Sequence, residues 1–106
     1  MPRFMVTGSY TSEGLKGLLK EGGSGRRKAV ESAVKSMGGR LEAYYFAFGD
    51  HDVVSIVDVP DNVTAAALAI GIAATGTVGT RTTVLLTPEE IDEATKKTLS
   101  FRPAGH

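Results

Sequence analysis

The stretch YYFAFGDHDVVSIVDVP, Tyr44 to Pro60, decides how the chain is read. Two runs rich in β-branched and aromatic residues flank Gly49-Asp50-His51, which predicts two strands joined by a tight hairpin. Side chains alternate across a strand. Val53, Ser55, Val57 and Val59 therefore share one face of the second run, and Val54, Ile56 and Asp58 take the other. Extending the first run back to Arg40 sets Leu41, Ala43, Tyr45 and Ala47 against Tyr44, Phe46 and Phe48. Both faces of the hairpin are apolar. Helices of one small chain cover only one of them, so the other needs a different partner.

Working outward, RFMVTGSY (Arg3 to Tyr10) reads as a first strand, followed by the capping hydroxyls Thr11-Ser12. SEGLKGLLKEG is a short helix with Leu15, Leu18 and Leu19 on one side, stopping at Gly22-Gly23. SGRRKAVESAVKSMGG continues the crossover, with Val30, Ala33, Val34 and Met37 at helical spacing and Gly38-Gly39 as the stop. Asp61 caps an Ala-rich helix that ends at Gly76, and TVGTRTTVLL is a β-branched strand in which Val84 and Leu86 oppose Leu85. In TPEEIDEATKKTL, Thr87, Pro88 and Glu90 form the signature of a capping box with proline at the first helical position.

The order is β α β β α β plus one helix. Right-handed crossovers and both helices on one face predict an α+β, ferredoxin-like sandwich with a four-stranded antiparallel sheet and an extra C-terminal helix. Residues 1–99 form one domain in this reading, and residues 100–106 are a tail. The uncovered face would be a patch of several hundred Å², more than soluble monomers ordinarily expose. Burying about 500 Å² of it gives about 12 kcal/mol gross, partly offset by the cost of association. A second copy, packed sheet to sheet about a two-fold axis, is the expected cover, making a homodimer or higher homo-oligomer of dimeric α/β-barrel type. The terminal helix folding under the sheet in cis is the alternative.

Composition narrows the function. Twelve basic and twelve acidic side chains cancel, leaving no field to attract nucleic acid or an anionic membrane. Cysteine is absent, so disulfides, thiol nucleophiles and thiolate metal sites are excluded. MPRFMVTGSY has no apolar run suited to a signal peptide. The longest apolar stretch, Ala65 to Ala74, is about half of what a membrane span needs. A cytoplasmic location is expected.

Several short motifs, taken in order, resemble the GYD-domain family. They are Tyr10-Thr11 with Gly14, Gly38-Gly39 before an aromatic strand, and Gly49-Asp50-His51-Asp52 before a Val/Ile strand. Pro60-Asp61 before an Ala-rich helix and the run Gly76 to Thr82 complete the set, and the resemblance extends from Phe4 to Thr87. It implies the dimeric α/β-barrel fold and assembly and brings no reaction with it. The sequence departs from the family pattern twice. His51 stands where a Tyr is expected, and Val78-Gly79-Thr80-Arg81-Thr82 replaces Val-Arg-Thr-x-Thr.

His51, between Asp50 and Asp52, is the candidate catalytic base, since a neighbouring carboxylate raises imidazole basicity; the same trio also suits an ordinary polar turn. With His106 as its only possible imidazole partner, His51 is not expected to hold a metal, and no cofactor is expected. Arg26, in the basic cluster that opens the long helix, is the candidate anion anchor, or pairs with Glu21 or Glu31. Tyr10, Tyr44, Asp52 and Arg81 are the other candidate ligand-binding residues, with Thr80 and Thr82 beside Arg81. Two functions fit. One is a small-molecule binding or structural module with a pocket between sheet and helices. The other is a cofactor-independent oxygenase or isomerase acting on a small aromatic or enolic substrate, which requires His51 and Arg26 in one pocket.

Overall fold

The computed structural model describes residues 1–106. Its elements are β1 (Arg3–Tyr10), α1 (Ser12–Ser36), β2 (Arg40–Phe46), β3 (Val53–Asp58), α2 (Asn62–Ala73), β4 (Val78–Leu85) and α3 (Pro88–Thr95). The strands form one antiparallel sheet in the order β2-β3-β1-β4, the ferredoxin-like arrangement expected from the element order. One face carries both crossover helices, α1 over β2 and β1, and α2 over β4. No helix is long and apolar enough to cross a membrane.

The two halves of the first crossover are one helical span bent at Gly22, whose φ of 76° and ψ of 169° suit glycine alone. Thr11 caps the start, accepting a hydrogen bond from the Gly14 amide. The Thr11 amide and hydroxyl in turn donate to the Thr77 and Gly76 carbonyls, both at 2.9 Å. A side chain at Gly14 would strike the Thr77 carbonyl, so glycine lets α1 start directly against the turn before β4. Asp61 caps α2 through the Thr64 amide at 2.8 Å, and Thr87 and Glu90 form the expected capping box of α3.

Two expectations about the hairpin are corrected. β2 ends at Phe46, and residues 47–52 form a loop closed by the Ala47 amide on the Asp52 carbonyl, in place of a tight Gly-Asp-His turn. Asp52 also donates its amide to the Gly8 carbonyl and accepts the Tyr10 amide on its carboxylate at 2.7 Å. Docking the loop onto β1 in this way satisfies backbone groups that a two-residue turn would have paired within the hairpin. The second correction concerns β2 itself. A bulge at Glu42 sets Leu41 opposite Val57 and Ala43 opposite Ile56. Leu41 therefore joins Tyr44 and Phe46 under the helices, and only Ala43 and Tyr45 remain on the outer face.

Phe4, Val34, Val57, Val59 and Ala65 make the core, with Val30, Leu41 and Leu68 packed against it. It is small: eleven of 106 residues are buried. The radius of gyration is 17.0 Å, against about 13 Å for a compact chain of this length. The excess comes from the C-terminal arm. α3 has no buried residue, and Leu99 and Phe101 beyond it are 80% and 72% exposed. The arm does not fold under the sheet in cis.

Candidate functional site

β-Strand alternation and the bulge bring one end of each strand to a shared space beneath the helices. From β1 come Val6, Gly8 and Tyr10, from β2 Tyr44, from β3 Val53 and Ser55, and from β4 Val78 and Thr80. α1 supplies Arg26, Ala29, Val30 and Ala33, a stripe at helical spacing, and α2 supplies Ile72. These residues line a half-open cavity of about 130 Å³ between the layers. A smaller apolar pit of about 40 Å³ continues beside it on the Phe4–Val34–Val57 core.

The walls are mostly apolar; Tyr10, Arg26 and Tyr44 stand together, and Ser55 and Thr80 add hydroxyls. Arg26 is the only charged residue of the lining. Tyr10 couples electrostatically to both Arg26 and Tyr44. Burial, reinforced by Tyr10, pushes the Tyr44 phenol well above its ordinary value, with Arg26 opposing more weakly. Tyr44 therefore stays a neutral hydrogen-bond donor at every physiological pH. Partial burial works against the Arg26 charge, but Glu21 and Tyr10 outweigh it, and the guanidinium is held above its usual range. Glu21 approaches Arg26 at 3.4 Å from just before the Gly22 bend, on the outside of the cavity. Deeper in, Ser55 donates its hydroxyl to the Val6 carbonyl at 3.0 Å. No buried polar side-chain atom lacks a partner.

Of the residues singled out in the sequence, Tyr10, Arg26 and Tyr44 converge on this cavity. Asp52 does not line it; its carboxylate holds the Tyr10 amide, so it positions that residue from behind. Arg81 is opposite Thr7 on the outer face, with the whole sheet between it and the cavity. Adjacent strand residues point to opposite sides, so Thr80 and Arg81 cannot serve one site. His51 is in the 47–52 loop and is absent from the cavity lining, so it does not meet Arg26 there. The enzyme reading thus lacks its proposed base at this position. No three His, Asp or Glu side chains converge to hold a metal ion. The sequence reading left out Ala29 and Ile72 as cavity walls. Running the apolar stripe of α1 back one turn from Val30 and Ala33 reaches Arg26, and that spacing was the available signal.

On the outer face a second polar cluster centres on Asp58, which is buried. Its carboxylate accepts from Arg3 Nε and from an Arg40 terminal nitrogen, each at 2.9 Å, and Arg3 also meets Glu42 at 2.9 Å. Burial pushes the Asp58 carboxyl up, but the two guanidinium hydrogen bonds prevail and hold it below the usual carboxylate range.

No curated protein and no solved structure gives a significant match to the chain. The model of the GYD domain matches residues 4–95 of 106, a span that includes every strand apart from Arg3 at the start of β1, all three helices and the whole cavity lining. The chain belongs to the GYD domain family.

Proposed function

We propose that the protein is a small-molecule-binding module whose ligand occupies the cavity between the sheet and helices α1 and α2. The observation that carries this reading is a half-open, mostly apolar space between the layers in which Tyr10, Arg26 and Tyr44 stand together, the general form of a ligand pocket. Its volume of about 130 Å³ is close to that of an engineered apolar cavity that takes benzene. Backbone NMR with a library of small aromatic and aliphatic fragments tests it. Shifts are expected at the amides of Val30, Ala33, Ser55 and Ile72. A library that leaves all four unmoved, while the spectrum is that of a folded protein, overturns the reading.

The module works as a homodimer paired through the outer sheet face. Met5, Ala43, Val54 and Ile56 form a partly exposed apolar centre there, and Tyr45 beside them is 69% exposed. Arg81 on that face has no salt-bridge partner, and neither do the acidic residues of α3. The C-terminal arm carries exposed Ile91, Leu99 and Phe101 away from its own core. A second copy supplies cover for the face and a landing surface for the arm. Light scattering should report twice the chain mass of 11.1 kDa at micromolar concentration. A stably folded species of single chain mass would sink the dimer.

A further inference from the structure

We infer that the ligand of the inter-layer cavity is a compact apolar monoanion, a small carboxylate or enolate, with Arg26 as its counter-ion and Tyr10 and Tyr44 as hydrogen-bond donors. This rests on the binding reading above and specifies its chemistry. The first reason is the charge of the lining. Arg26 is the only charged residue, and no carboxylate faces the cavity. A cationic ligand would lose its hydration without gaining a counter-charge, which is costly in an apolar space.

The second reason is the sense of the hydrogen bonds on offer. A guanidinium only donates, and a phenol held protonated offers its hydrogen to an incoming oxygen. Ser55 has already committed its hydrogen to the Val6 carbonyl. Arg26 and the two phenols therefore stand together as donors, the Thr80 hydroxyl adds one more, and apolar residues make up most of the remaining wall. A ligand with one anionic group and a hydrocarbon body matches both.

The third reason is that Arg26 has a partner it can relinquish. Its contact with Glu21 is long, 3.4 Å, and the glutamate side chain is 46% exposed. Such a pair contributes little in water. Glu21 and Arg26 lie on opposite sides of the Gly22 bend, so a small change there moves the guanidinium from the carboxylate outside to one inside. The volume sets the remaining limit. About 130 Å³ holds a single ring or a short branched chain.

Calorimetric and NMR titration at pH 7 with benzoate, benzamide and benzylammonium, and with 3-methylbutanoate against its amide, tests the inference. The anion of each series should bind at least roughly tenfold tighter than the neutral isostere, the factor expected of one charge-assisted hydrogen bond. Benzylammonium should not bind. Arg26→Gln should abolish the preference for the anion, and Glu21→Gln should tighten anion binding by removing the competitor. Equal binding of anion and amide in both series overturns the anionic class and leaves the binding module standing. If no probe of either series reaches the cavity amides, both readings fall.

Discussion

The two polar clusters of this sheet lie on opposite faces of the same strands and are built on opposite terms. On the outer face Asp58 is enclosed by Arg3 and Arg40, Glu42 takes the remaining reach of Arg3, and every charge of this cluster has a counterpart. Beneath the helices, Arg26, Tyr10 and Tyr44 face a space that no carboxylate side chain lines. A closed cluster fixes geometry: it joins β1, β2 and β3 at one end through side chains 18 and 55 residues apart in sequence. An open cluster contributes little to folding, which is what the proposed binding role requires. Satisfaction, more than burial or residue type, separates the structural site from the candidate functional one.

The largest effect that would break this contrast is on stability. Asp58→Ala strips both arginines of their shared acceptor and should cost about 3 kcal/mol, a range typical of hydrogen bonds to charged groups, read as a lower urea midpoint with unchanged slope. A loss under about 1 kcal/mol would place the cluster with ordinary surface ion pairs. The same carboxylate sets an acid limb. Its folded pKa lies below its unfolded value, so its contribution is complete above about pH 3.9 and disappears as pH falls through the lower folded value. Melting curves from pH 5 to pH 2 should show that limb in the wild type and a shallower one in Asp58→Ala.

Smaller is the effect expected at the bend of α1. Gly22→Ala places a Cβ on a backbone that tolerates only glycine and should cost about 1–2 kcal/mol. Because the bend orients Arg26, this variant should also weaken anion binding with the Arg26 side chain intact. The smallest effect belongs to the open cluster. Tyr44→Phe should leave stability within about 0.5 kcal/mol while reducing the preference for anions. Alkaline titration followed by ultraviolet absorbance sharpens the point. The Tyr44 pKa is raised on folding, so its stabilising share is whole below about pH 10 and declines as pH rises toward the folded value. One phenol of the folded protein should therefore ionise after the other two.

Much of this was legible before any coordinates. Caps at Thr11, Asp61 and Thr87 and the glycine bend in α1 are local devices, and local chemistry is written in adjacent residues. The grouping of Val53, Ser55, Val57 and Val59 on one face followed from simple alternation, and their burial shows that this face lies inward. What could not be read depends on register. The bulge at Glu42 accompanies a contact with Arg3, 39 positions earlier, and nothing in RLEAYYF marks which residue is extra. For the same reason Asp58 passed as one more outward polar residue, since its partners become neighbours only once three strands are aligned. Arg81 illustrates the remaining gap: alternation tells that it opposes Thr80, but only the pairing of β4 with β1 tells which of the two faces the cavity. At the site, Tyr10, Arg26 and Tyr44 were named individually; their convergence needed the fold.

Glu42 divides β2 into two half-strands of different phase, and this has a developmental meaning for the site. Arg40 and Leu41 keep step with the closed cluster and the core, while Ala43 to Phe46 keep step with the cavity. A slip of one position on one side of the joint is absorbed there and never transmitted to the other. The cavity lining can thus change at Tyr44 without rewriting the foundation that Asp58 holds together.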